Sequence, residues 1–254
     1  MNTAEFFKKL YKNCDRGFLS ITLLPERKTL WFKSTEIDKA TVQAEKYGKK
    51  TNTFFGVGLR KEVLPYNLRG SDDDIFAVTA LWSDIDVKGQ AHAQKNLPSS
   101  TDEAINFLET LKLKPSIIVG SGNGLHAYWL LDVPYFIETK EDRKYISTIM
   151  HDWGKYINTE ANKKGWKLDT VSDLARILRV PGTTNHKTEE KNRCEIIKSN
   201  NYEYSIQSFE QSNSQSTKKA TQKQSTMSFC GDAQRIIEKC EFIKYCKDYA
   251  PNLS

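Results

Sequence analysis

The chain has 254 residues, which is enough for one sizeable core or two small ones. Its net charge of +6 suits a polyanionic partner without requiring one, and 38% hydrophobic residues indicate a mostly globular protein. The five scattered cysteines argue against a secreted disulfide framework. Without a signal peptide, or an apolar run near the ~20 residues of a membrane span, we expect a cytoplasmic, soluble protein with no membrane partner.

The predicted elements mix helices with hairpin-like strand pairs. The first part of the chain predicts a helix over 4–13, a hairpin over 17–33, a helix over 34–50 capped by Ser34 and a strand over 52–61. A loop over 64–74 leads to a strand over 75–86, which is followed by a helix over 99–113 capped by Ser100 and by two strands around a glycine turn over 114–131. The last elements are a helix over 138–164 broken near Gly154, a short helix over 169–178 and two strands over 192–206. This order predicts an α+β fold, since a doubly wound sheet would alternate strand and helix throughout.

The composition changes near residue 208. Residues 208–228 are rich in Gln, Ser, Thr and Lys and predict a flexible linker after a catalytic domain over 1–207. Residues 229–254 then resume a helical pattern, which we interpret as the start of a truncated C-terminal region. Cys230, Cys240 and Cys246 lie there, but they lack the C-x-x-C spacing typical of zinc sites, so ordinary helix cysteines are the favoured interpretation.

Two carboxylates end the apolar strand over 75–86. Asp84 and Asp86 are two residues apart, so on a strand they project from one face, roughly 6.5–7 Å apart at Cα. Like charges this close stay ionised more easily beside a cation, and oxygen ligands suit Mg²⁺ or Mn²⁺. A solvated strand end would show the same pattern, so the pair alone is a weak signal.

Two further segments add phosphate-binding chemistry. A glycine turn, made of Ser121, Gly122, Asn123 and Gly124 and followed by His126, lets backbone N–H groups approach a phosphate. Residues 168–187 supply Asp169, two arginines at i and i+3, Arg176 and Arg179, and then Lys187. We place the arginines on one face of the predicted short helix, where guanidinium groups can grip phosphates. An ordinary hairpin and a basic helix face are the alternatives.

Taken together, these groups predict one site. Asp84, Asp86 and Asp169 can hold two divalent ions, while the turn, His126, Arg176, Arg179 and Lys187 can hold a triphosphate. This is the equipment for phosphoryl or nucleotidyl transfer.

The order WSDIDVKG, SGNGLHAYW and LDTVSDLARILRVPGTTNHK resembles the catalytic core of the archaeo-eukaryotic primase superfamily, over roughly residues 50–190. The likeness is greatest to primase–polymerases of phages and plasmids, including RepB-type primases. Their acidic pair, small-residue-x-His element and apolar-Asp element map onto Asp84 and Asp86, onto Gly124 and His126, and onto Asp169. Many members have Ser where Gly124 stands, which leaves the role of that hydroxyl open, although Ser121 can substitute.

The resemblance implies an RRM-like antiparallel sheet flanked by helices and packed with a second small α/β unit. It also implies a DNA primase–polymerase that uses Mg²⁺ or Mn²⁺, single-stranded DNA template and dNTPs or NTPs, with a helicase-linked region after the linker. A metal-dependent nuclease, a non-catalytic single-strand-binding replication initiator and a nucleotide-sugar glycosyltransferase are the alternatives. The residues leave open which sugar is preferred.

Overall fold

The structure is a computed structural model that describes residues 1–89, 96–169, 172–187 and 191–213. Residues 211–213 are described by their backbone alone. Its helices are α1 (Thr3–Leu10), α2 (Ile37–Gly48), α3 (Thr101–Thr110), α4 (Lys140–Asn162) and α5 (Gln207–Asn213). Its strands are β1 (Phe18–Leu24), β2 (Lys28–Lys33), β3 (Asn52–Gly56), β4 (Leu59–Arg60), β5 (Ile75–Asp86), β6 (Ile117–Gly120), β7 (Gly124–Phe136), β8 (Ile177–Arg179), β9 (Thr184–Asn185), β10 (Asn192–Arg193) and β11 (Glu195–Ser199). A 3₁₀ turn over Asp72–Asp74 precedes β5.

One antiparallel sheet organises the described residues. Its strand order is β11-β6-β7-β5-β4-β1-β3-β8, with β2 paired to β1, and β9 and β10 form a separate hairpin. The predicted α+β fold with helices flanking an antiparallel sheet is confirmed. The central strands β5 and β7 are long, and they carry the acidic pair and the histidine at neighbouring ends.

The N-terminal helix joins distant parts of this sheet. Phe6, Phe7 and Leu10 follow helical spacing and are all buried, while Asn2 and Glu5 complete a capping box. The ring of Phe6 lies 5.5 Å from those of both Phe55 on β3 and Tyr128 on β7, edge to face. Helix α1 therefore packs between strands that are not neighbours in the sheet.

Three predicted helix features are wrong. Helix α2 begins at Ile37 with Glu36 as its N-cap, whereas Ser34 is buried before it. Helix α4 runs unbroken through Gly154, since its buried apolar face continues on both sides. The predicted helix over 169–178 ends instead in strand β8, because the backbone of β3 offers it hydrogen-bonding partners. The predicted Ser100 cap on α3 is confirmed, as its side chain accepts from the N–H of Glu103.

The last described helix, α5, begins at the residue where we predicted the first domain to end. Residues 207–213 form α5, and Phe209 is fully buried, with its ring 5.1 Å from that of Trp153 on α4. Residues up to Ser216 belong to one unit with the preceding chain, and the predicted domain over 1–207 and linker over 208–228 stay predictions. The rest of the linker and the region over 229–254, with its three cysteines, lie outside the described residues and stay predictions. None of the described helices has both the length and the apolar character that crossing a bilayer requires.

Candidate functional site

The acidic pair projects as predicted from the end of β5. Asp84 and Asp86 are partly exposed, while Ile85 between them is fully buried, so both carboxylates lie on one face. The side chain of Asp84 is 34% exposed, which leaves it accessible to a ligand. Two such carboxylates suit a hard divalent cation whose other positions are filled by water and substrate phosphates, as Mg²⁺ prefers.

A buried histidine lies directly opposite this pair. His126 on β7 is the cross-strand partner of Asp84, and its Nε2 lies 3.7 Å from Asp84 Oδ1. Burial, followed by the charges of Arg179 and Arg176, lowers the pKa of His126 to about 3, while Asp86 acts in the opposite direction. The ring is therefore neutral near pH 7. Its Nδ1 atom has no hydrogen-bond partner among the described residues, so a ligand can supply one.

This neutral histidine predicts acid sensitivity. In metal-free buffer the unfolded chain takes up a proton at His126 near its ordinary pKa of 6.5, whereas the folded chain does so only near 3. The stability due to the neutral ring is complete above pH 6.5 and should be lost progressively as the pH falls toward 3. His126→Gln should reduce the slope of unfolding free energy against pH by up to about 1.4 kcal/mol per unit. Urea denaturation across this range measures it, and equal slopes in both proteins would contradict the prediction.

The glycine turn over residues 121–124 has no room for a Cβ atom at position 124. Ser121 N–H donates to the carbonyl of Gly124 at 2.9 Å, and Gly122 has a φ of +91°, which favours glycine. A Cβ at position 124 would lie 2.4 Å from the carbonyl oxygen of Ile85 on β5. This close approach explains why glycine stands where many members of the superfamily that the motifs resemble have serine. Ser121 is buried, and its backbone closes the turn.

Introducing serine at position 124 should therefore destabilise this protein. We expect Gly124→Ser to lower the unfolding free energy by about 1–3 kcal/mol, because the β5 backbone must shift away from the new Cβ. Gly89→Ser is the matched control, since nothing lies within 4 Å of a Cβ at position 89. Urea denaturation of the two variants should separate them, and a Gly124→Ser protein as stable as the control would refute the steric explanation.

A hairpin that sequence reasoning missed holds the turn in place. Asn185 on β9 donates from Nδ2 to the carbonyl of Ser121 at 2.8 Å, and both residues are buried. The Cys194 thiol lies 3.4 Å from the same carbonyl, and Asn185 Oδ1 accepts from the N–H of Lys187. The available signal was the asparagine in PGTTN, since a buried amide needs several partners. Asn185 is thus a positioning residue for the turn.

The two arginines approach the site from β8 rather than from a helix. The guanidinium of Arg179 lies 4.7 Å from the ring centre of Phe54, and its Nη1 donates to Asn52 Oδ1 at 2.6 Å. Burial lowers the pKa of Arg179, whereas Cys194 and Asp84 act in the opposite direction. Arg176, just before β8, has a buried Nε without a hydrogen bond, 3.6 Å from Asp173 Oδ1. Both arginines lie near enough to His126 to lower its pKa.

Two predicted members of the site, Asp169 and Lys187, have exposed side chains. Asp169 follows Leu168, whose carbonyl accepts a hydrogen bond from Asn158 Nδ2 at 3.0 Å. Within the described ranges, no three side chains of the His, Cys, Asp and Glu types are arranged to hold a metal ion. Asp169 thus stays a predicted third ligand, and the side chain of Lys187 is exposed, near the hairpin. Asn123 Nδ2 and His126 Nδ1 are among the buried polar atoms of the described chain that lack a hydrogen bond.

Comparison with protein-family models gives no match, and comparison with curated proteins gives none either. Solved structures do match. The AEP domain of the cyanophage S-2L primase-polymerase aligns over 82% of this chain and 94% of its own, with 16% identity and a TM-score of 0.51. Primase RepB′ aligns over 97% of this chain and 69% of its own, with 10% identity and a TM-score of 0.52. The catalytic domain of RepB′ in complex with initiator DNA aligns over 87% and 100%, with 11% identity and a TM-score of 0.50.

Proposed function

Because the chain has the fold of archaeo-eukaryotic primase catalytic domains, as its motifs predicted, we propose that it is a DNA primase–polymerase. It makes primers and extends DNA by template-dependent nucleotidyl transfer during replication of a mobile element. The observation that carries the proposal is the pairing of Asp84 with His126 at the centre of this fold, beside Asp86. The cyanophage source of one structural neighbour supports the mobile-element setting.

Asp84 and Asp86 would hold the divalent ions, Mg²⁺ or Mn²⁺, with Asp169 as the proposed third ligand. Both residues fit this role, since their carboxylates are partly exposed on one face above a buried strand. When bound, such ions neutralise triphosphate charge and activate the 3′ oxygen for attack on the α-phosphorus. Trp82, two residues before Asp84 on the same face of β5, is buried.

The cationic side of the site would hold the triphosphate. The nucleotide-binding residues that we propose are Ser121, Gly122, Asn123, Gly124, His126, Arg176, Arg179 and Lys187. His126 is neutral, so it donates one N–H without adding charge, and the arginines supply the charge. Asn123 Nδ2 and Arg176 Nε are buried without a hydrogen bond, and phosphate oxygens would accept from both. Arg179 is held ready by Phe54 and Asn52, so little freedom is lost on binding.

One assay tests the proposal against its alternatives. The protein is incubated with single-stranded DNA, labelled dNTPs or NTPs, and Mg²⁺ or Mn²⁺, and the strands are separated by size. Extended or newly made strands support the proposal, and the two nucleotide sets reveal the sugar preference. Cleaved strands would instead identify a metal-dependent nuclease, and unchanged but bound strands a non-catalytic initiator. A helicase partner would be sought separately by co-purification.

A further inference from the structure

A second cavity lies away from the acidic pair, between the β1–β2 turn and the loop over 61–71. Its volume is about 660 Å³, within the roughly 300–1,000 Å³ typical of ligand pockets. We call it the loop pocket. Its floor includes Thr22, Thr29 and Ile177, and its rim includes Leu64, Arg27 and Arg69. The N–H of Thr29 donates to the carbonyl of Tyr66, which fixes the loop against β2.

The loop pocket adjoins the proposed nucleotide site. Direct cross-strand partners share a sheet face, and the pairs Thr29–Thr22, Thr22–Phe54 and Phe54–Arg179 form one row across four strands. Ile177 stands two residues before Arg179, so it shares that face. The floor of the loop pocket is therefore continuous with the surface that carries Phe54 and Arg179. A chain-like ligand that leaves Arg179 along this face enters the loop pocket.

The rim has the chemistry of a nucleic-acid surface. Arg27 and Arg69 are exposed cations, whereas the acidic rim residue Asp74 already accepts from both the N–H and the hydroxyl of Ser71. Leu68, which lines the pocket, is 48% exposed, and beyond the lining the loop exposes Tyr66 by 72% and Val63 by 55%. Exposed aromatic and apolar side chains beside arginines bind stacked bases and backbone phosphates in single strands.

Resting on the proposed function, we infer that the loop pocket and the exposed face of residues 63–69 bind the single-stranded template. Arg27 and Arg69 contact its phosphates, and Tyr66 stacks on a base. A strand suits this surface better than a free nucleotide, since the apolar side chains continue outside the cavity. The row through Phe54 leads such a strand toward Arg179.

The test measures binding of a fluorescent oligo-dT strand and, separately, of a labelled dNTP with Mn²⁺. We expect Tyr66→Ala to weaken oligo-dT binding about tenfold and Tyr66→Phe to retain it, because stacking needs only the ring. Arg27→Ala with Arg69→Ala should weaken it further and reduce the salt slope, log K against log salt, by about 1.4. Nucleotide affinity should not change. Tyr202→Ala, at another exposed tyrosine, is the matched control.

The outcomes separate this inference from the proposed function. If the unmodified protein binds oligo-dT and the loop variants bind it equally well, the loop pocket is not the template site, while the primase proposal stands. If the variants lose nucleotide affinity but keep oligo-dT, the pocket holds a nucleotide and the inference is overturned. If the unmodified protein binds no single strand, both fail. Thermal melting of each variant verifies that the exposed substitutions leave the fold intact.

Discussion

Replacing both Asp84 and Asp86 by Ala or Asn should abolish primer synthesis on single-stranded DNA. The two carboxylates provide the anionic face of the proposed site, and metal-assisted charge stabilisation contributes several kcal/mol to such reactions. At about 1.4 kcal/mol per tenfold, we expect a loss of at least about 10³-fold. Labelled-nucleotide incorporation measures the rate. The fold should persist, since both side chains are partly exposed and removing like charges relieves repulsion.

Two comparisons make this result specific. Asp38→Asn removes an exposed carboxylate paired with Lys8 on the surface and should leave synthesis unchanged. Mn²⁺ should raise the melting temperature of the unmodified protein but not of the double variant, because only the former binds it. Asp169→Asn tests the third proposed ligand by the same two measurements. Primer synthesis that survives the double change would make the proposed mechanism wrong.

Removing Arg179 or His126 should weaken nucleotide binding far more than single-strand binding. Each loses one contact to the triphosphate, which costs roughly 1.5–3 kcal/mol, or about ten- to a hundred-fold in affinity. Template contacts are spread over other residues, so the oligo-dT affinity of Arg179→Ala and His126→Ala should change much less. Fluorescence titration with labelled dNTP and with oligo-dT measures both affinities side by side.

Arg16→Ala is the matched control for Arg179→Ala. Its guanidinium also stacks on aromatic rings, 5.3 Å from Phe76 and 4.9 Å from Phe136. Phe76 lies eight residues before Asp84 on β5, or about 26 Å along a strand, so this arginine is far from the triphosphate. If Arg179→Ala and His126→Ala instead lose DNA binding and keep nucleotide binding, β8 is a template contact and the pocket is misplaced.

Local patterns predicted the parts of the site that depend on strand alternation. Asp84 and Asp86 flank the buried Ile85, so period-two spacing placed both on one face. On β7, His126 lies two residues before Tyr128 and shares its face, as the spacing predicted. The fold class followed from hairpin-like pairs, while the superfamily resemblance supplied the order of the motifs.

The parts that failed depend on distant partners. Leu174, Ile177 and Leu178 have a spacing that fits a helix, but Ile177 and Leu178 pair with β3, which lies more than 120 residues earlier. The role of Asn185 depends on the carbonyl of Ser121, 64 residues away, and no local pattern encodes that contact. The glycine at position 124 is explained only by the backbone of Ile85.

The N-terminal helix has a consequence for the order of synthesis on the ribosome. The hydroxyl of Thr3 donates to the carbonyl of Pro181, and Lys9 donates to the carbonyl of Asn200, so α1 finds these partners 178 and 191 residues later. Until that distant segment is synthesised, α1 lacks these two hydrogen-bond partners and β3 lacks its pairing with β8. Contacts of such large sequence separation slow folding. The proposed nucleotide pocket, which needs Arg179 and Asn185, should thus be among the last parts of the domain to form.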